Sequence, residues 1–124
     1  MRFYGTEETM ERKRMKLLVL AAVALVGLLA CQSLYRTYQY EVTGQGGSFK
    51  VTIVNEDGHK QQWAEVESGW TYTWEQWGVR SLSVSATNLT DYGDVTVRII
   101  RDGVIVAENT SYGAYVTATV SGDY

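Results

Sequence analysis

Proline is absent from this chain of 124 residues, cysteine and histidine occur once each, and phenylalanine only twice. With His59 alone, placed beside the turn-forming Asp57-Gly58, neither a histidine-based triad nor a multi-histidine metal site can be assembled. The single cysteine, Cys31, excludes an internal disulfide. Without proline, the edges of any sheet must be protected by charge, bulges or glycine. Positive charge is scarce beyond residue 30: the first 30 residues hold five of the 11 Lys and Arg and three of the 14 Asp and Glu, leaving 6 bases against 11 acids, a formal charge of −5. That balance argues against nucleic acid and against an electrostatic grip on anionic lipid. No phosphate-binding glycine loop, nucleophile elbow or Asp-x-Asp-x-Asp calcium pattern is present, and Asp91, Asp94 and Asp102 read as solvated turn acids. Glu65, Glu67 and Glu75 lack any mark of burial that would pair them as acid and base. Neither a cofactor nor catalysis is expected.

What is there divides at residue 30. Leu17 to Cys31 is an uncharged run of 15 residues preceded by Arg12, Lys13, Arg14 and Lys16. As a helix it reaches roughly 22 Å, short of a hydrocarbon core of about 30 Å, so it reads as the h-region of a signal peptide behind a positive n-region. Its last four residues, Leu28-Leu29-Ala30-Cys31, resemble the lipobox of bacterial lipoproteins, in which the cysteine is acylated and becomes the new N-terminus. That resemblance implies lipidation at Cys31 and attachment to an envelope membrane through acyl chains, facing the periplasm or exterior; Gln32 after the cysteine leans towards the outer membrane. The alternative is a retained anchor helix running on through Tyr35. Residues 1–30 are therefore assigned to a signal peptide, 31–37 to a lipidated tether and 38–124 to one folded domain. Translation starting at Met10 or Met15 instead of Met1 would give a more ordinary signal.

From Tyr38 the apolar residues recur with period two. Tyr38, Tyr40 and Val42 alternate with polar neighbours, and so do Phe49, Val51 and Ile53; Leu82, Val84 and Ala86 alternate with serines; Val95, Val97 and Ile99 alternate with Thr96 and Arg98; Val116, Ala118 and Val120 close the chain. His59 to Val66 is a more polar strand, and Trp70 to Trp74 alternates aromatic with threonine. Asn55 to Gly58 is a turn by composition, and Asp102-Gly103 between two β-branched runs predicts a two-residue type I′ hairpin. No helical period follows Cys31. Seven or eight short strands in a chain of this length define an all-β fold, a small antiparallel β-sandwich of Ig-like kind.

Trp63, Trp70, Tyr72, Trp74 and Trp77 crowd into 15 residues, more aromatic mass than a small core needs. Two readings stand: these rings form the core, or Trp63 or Trp77 stays exposed to contact a partner protein, an acyl chain or a sugar ring.

Tyr40-Glu41-Val42-Thr43-Gly44, Asn55-Glu56-Asp57-Gly58, Gln61-Gln62, Trp70, Val95-Thr96-Val97-Arg98-Ile99, Asp102-Gly103 and Glu108 to Tyr115 together resemble the MmpS family of mycobacterial transport accessory proteins. The resemblance implies a membrane anchor, a small extracytoplasmic β-sandwich and a place beside an RND-type exporter of lipids or siderophores. It also implies that Val97 and Val120 stand where family members carry a pair of cysteines. A free-standing surface lipoprotein that binds a glycan or lipid through its aromatic face is the alternative.

Overall fold

Strand formation follows from the alternation: each segment has one apolar face, and only two sheets laid face to face bury all of them. The computed structural model describes residues 35–124, so the proposed signal peptide, lipidation at Cys31 and the start of the tether lie outside the described residues. Eight strands follow in order: β1 (Tyr35–Thr43), β2 (Phe49–Val54), β3 (Lys60–Val66), β4 (Trp70–Trp77), β5 (Ser81–Asn88), β6 (Asp94–Arg101), β7 (Val104–Tyr112) and β8 (Thr117–Asp123). They form two four-stranded antiparallel sheets, ordered β4-β1-β6-β7 and β3-β2-β5-β8. The all-β sandwich expected from the sequence is the fold observed. Only the β2–β3 and β6–β7 hairpins stay within one sheet; every other connection crosses to the opposite one.

The inward residues are those the period picked out. Tyr38, Tyr40, Val42, Phe49, Val51, Ile53, Leu82, Val84, Ala86, Val95, Val97, Ile99 and Ala118 are buried, joined by Trp74. Two tyrosines of β1 cross the core and tie the sheets together. The Tyr40 hydroxyl donates to the Val54 carbonyl at 2.7 Å and accepts from the Ser83 amide at 3.1 Å, while the Tyr38 hydroxyl donates to the Tyr124 carbonyl at 2.7 Å. Burial pushes the Tyr40 hydroxyl up to about 12.

The Asp102-Gly103 hairpin has φ of 51° and 79° at its two residues, as a type I′ turn requires, and a bulge follows where Ile99 pairs Ala107 but Ile100 pairs Ile105. Two expectations need correction. β1 starts at Tyr35, so residues 35–37 belong to the domain and not to the tether, and the reason is a set of contacts invisible in the alternation. The ring of Tyr35 packs on Trp77 with centroids 4.8 Å apart, Arg36 pairs with Asp102 at 2.8 Å, and the Thr37 amide donates to the same carboxylate at 2.9 Å. For the same reason Asp102 is not simply a solvated turn acid: the Thr37 amide and then the Arg36 guanidinium hold its carboxyl below the ordinary carboxylate range.

Candidate functional site

The aromatic crowd divides once it is folded. On β4 the even-numbered side chains face inward, so Trp74 enters the core, stacked 5.5 Å from Tyr38 and tilted 4.7 Å from Tyr40. Its indole donates to Gln76 Oε1 at 2.8 Å, and Gln76 Nε2 has no partner among the described residues. Trp70 and Tyr72 continue the row and meet Trp63 of β3 at 4.8 and 5.7 Å. Because β3 and β4 are the edge strands of the two sheets, these three half-buried rings seal the seam between them. Tyr72 also donates to Glu56 Oε2 at 2.7 Å, which raises the tyrosine to about 12 and lowers the carboxyl. Trp77 has the opposite parity: it stands on the outer face against Tyr35, 58% exposed. The five rings therefore do not form one unit: Trp74 lies in the core, Trp63, Trp70 and Tyr72 lie at a seam, and Trp77 is presented to solvent.

The opposite seam, between edge strands β7 and β8, is polar. Asn109 Nδ2 donates to the Thr119 carbonyl at 3.1 Å and the Ser111 hydroxyl to the Thr117 carbonyl at 2.8 Å. On the outer face of the first sheet Arg98 pairs with Glu41 at 2.6 Å and also with Glu108, one cation spanning β1, β6 and β7. The outer face of the second sheet is hydroxyl-rich, with Ser85 bonded to Thr119 at 2.9 Å and Thr87 to Thr117 at 2.8 Å.

At the end where β1 finishes, three connections converge on one side chain. Asn88 is fully buried. Its Nδ2 donates to the carbonyls of Tyr92 (2.8 Å) and Gly113 (3.0 Å), and its Oδ1 accepts from the Thr90 amide (3.0 Å) and hydroxyl (2.6 Å). The β1–β2 loop is drawn in as well: the Gly47 amide donates to the Thr90 hydroxyl, the Gln45 amide to Asp94, and a side chain at Gly46 would collide with Asn88. This end carries Tyr92 and Tyr115 on the loops so fixed and Tyr112 as the last residue of β7, which are 57%, 65% and 77% exposed, and Leu89 beside them. Tyr115 is held at a φ of 56°, a left-handed conformation that bulky residues adopt only where surrounding structure imposes it, and here its amide N–H donates a hydrogen bond to the Thr90 carbonyl.

Sequence reading did not find this end. The signal was present, since the inward phase Leu82, Val84, Ala86 continues to Asn88, where a polar residue in an apolar position calls for partners. Asn88 also heads a glycosylation triplet, and its burial makes that triplet inaccessible in the folded chain. His59 is exposed at its turn, and Glu65, Glu67 and Glu75 are exposed. Among the described residues no group of three or more His, Cys, Asp or Glu is placed to hold a metal ion, and no helix is long and apolar enough to cross a membrane.

Fold and site together define an eight-stranded antiparallel β-sandwich with exposed aromatic side chains at its two ends. No protein-family model matches the chain, and no curated protein matches it significantly.

Proposed function

We propose that this chain is a lipid-anchored protein of the bacterial cell envelope whose β-sandwich is a binding and scaffolding module, acting as an accessory of an RND-type exporter. The observation that carries the binding role is the loop end: Tyr92, Tyr112 and Tyr115 are exposed, yet their backbones are fixed through Asn88. Tyrosine supplies large contact area for little rotamer entropy, and loops fixed in advance lose less freedom on binding, which is the arrangement protein-recognition loops use. This end lies a full strand length away from Tyr35, where the chain arrives from Cys31, so an anchored domain presents it away from its attachment. The exporter as partner rests on the MmpS resemblance. The experiment is cross-linking in native membranes with the chain as bait: an RND-type permease is recovered with the wild type and lost with Tyr92→Ala, Tyr112→Ala and Tyr115→Ala combined. Equal recovery with the triple variant, or no permease with either, refutes it.

A second reading, binding of a glycan or lipid, is favoured by the half-exposed rings of Trp63, Trp70 and Tyr72 at the seam. Tryptophan fluorescence that shifts with added oligosaccharide or dispersed lipid, and no longer does so in Trp63→Ala, would select it over the exporter role.

A further inference from the structure

We propose that the end of the sandwich where β1 begins is a membrane-contact surface, with Trp77, Tyr35, Val79, Val104 and Ile105 seated in the interfacial layer of the bilayer that holds the anchor. The inference rests on the lipid-anchor reading and adds to it an orientation of the domain. Nine large hydrophobic side chains are exposed among the described residues, and these five share one end, at 58%, 42%, 67%, 63% and 52%. The grouping is fixed by register and hydrogen bonds. Tyr35 pairs with Trp77, the Asp102 amide donates to the Thr37 carbonyl so that the Asp102-Gly103 turn lies beside the start of β1, Val104 and Ile105 lead from that turn into β7, and the Tyr38 hydroxyl reaches the Gly78 carbonyl. Scattered single apolar residues need no explanation, but a tryptophan and a tyrosine in contact, joined by three aliphatic residues, form the amphipathic composition that settles at a membrane–water boundary.

Chain length leaves the domain little freedom to avoid that boundary. Four residue steps separate Cys31 from Tyr35, about 14 Å fully extended. β1 alone has nine residues, about 30 Å of strand, so the tether is roughly half the length of the body it holds. The charge distribution agrees. Arg36, Lys60, Arg80 and Arg101, four of the six cations of the described residues, stand at this end with Glu56, Asp57, Glu75, Asp102 and Asp123, giving −1; the other two cations and six acids give −4 to the remainder. The end near the anchor is thus the one an anionic leaflet repels least, and the tyrosine-bearing end faces away.

The test uses the full-length chain purified from membranes with its lipid and reconstituted in phosphatidylcholine vesicles, with and without a lipid carrying a spin-label quencher near the headgroup. Tryptophan fluorescence of the wild type should be quenched by the labelled lipid and only weakly by aqueous iodide. Trp77→Phe, which keeps a ring on Tyr35, should lose most of the lipid quenching, and Val104→Ser with Ile105→Ser should weaken it while leaving Trp77 in place. Protein retained on the vesicles whose Trp77 emission yields to iodide and not to labelled lipid overturns the orientation alone. Protein that does not stay with the vesicles overturns the anchor reading and the orientation with it.

Discussion

Replacing Asn88 should damage the domain more than any other single polar substitution on β5. In Asn88→Ala four hydrogen bonds vanish at a fully buried position, and the carbonyl of Gly113 and the amide of Thr90 lose their side-chain partner. At about 1 kcal/mol for a net hydrogen bond and about 1–3 kcal/mol for each buried group left unpaired, the cost is about 3–5 kcal/mol, against a total stability on the order of 5–15 kcal/mol for a domain of this kind. Asn88→Asp keeps shape and the acceptor oxygen but turns a carboxylate oxygen towards the two carbonyls that Nδ2 now serves. It should therefore be no better than alanine at neutral pH. Urea unfolding followed by tryptophan emission measures both, and hydrogen exchange at Thr90, Gly113 and Tyr115 reports whether the loops loosen before the sheets do. A cost below 1 kcal/mol for alanine, or an aspartate variant as stable as the wild type, would refute the claim that one side chain fixes the loop end.

Gly103→Val should destabilise by about 1–3 kcal/mol, because the residue sits at a φ of 79°, whereas Asp102→Asn keeps a residue tolerant of its φ of 51° and should cost less; equal melting temperatures would contradict the turn assignment. Tyr40, about 12 when folded against about 10 in an unfolded chain, has a raised folded value, so its contribution is fully present below pH 10 and is lost as the pH climbs towards 12. The urea midpoint should hold steady up to about pH 10 and then fall, and Tyr40→Phe should flatten that fall while costing about 1–3 kcal/mol at neutral pH through the unpaired Val54 carbonyl and Ser83 amide. Val97→Cys with Val120→Cys tests the MmpS resemblance: both valines face the core from opposite sheets, and oxidation would close a loop of 120 − 97 = 23 residues worth about 3 kcal/mol. Two free thiols under air would count against the resemblance.

Much of the fold was legible because period two is enforced at nearly every strand by burial on one face alone. Each alternating run named from the sequence faces inward, and the Asp-Gly dipeptide fixed its own turn by the positive φ it demands. The sheet order was not legible, since nothing local tells β1 to pair with β4 and β6 and not with β2. The exposure of the tryptophans could be reached only in part: parity on β4 puts Trp77 opposite Trp74, yet whether Trp63 meets Trp70 depends on the two edge strands closing one seam. The loop end was hidden for a different reason. Its exposed tyrosines are spread from residue 92 to 115, and what makes them one surface is a network of side-chain to backbone bonds centred on Asn88, which has no periodic signature.

The central claim, an extracytoplasmic sandwich held to a membrane by lipid, is tested most directly by metabolic labelling with a palmitate analogue in the full-length chain and in Cys31→Ser. Label in the wild type, absent from the serine variant, together with a mature N-terminus at Cys31, is the result expected. Label that persists without the thiol, or a mature protein whose N-terminus is still intact at Met1, Met10 or Met15, would contradict it.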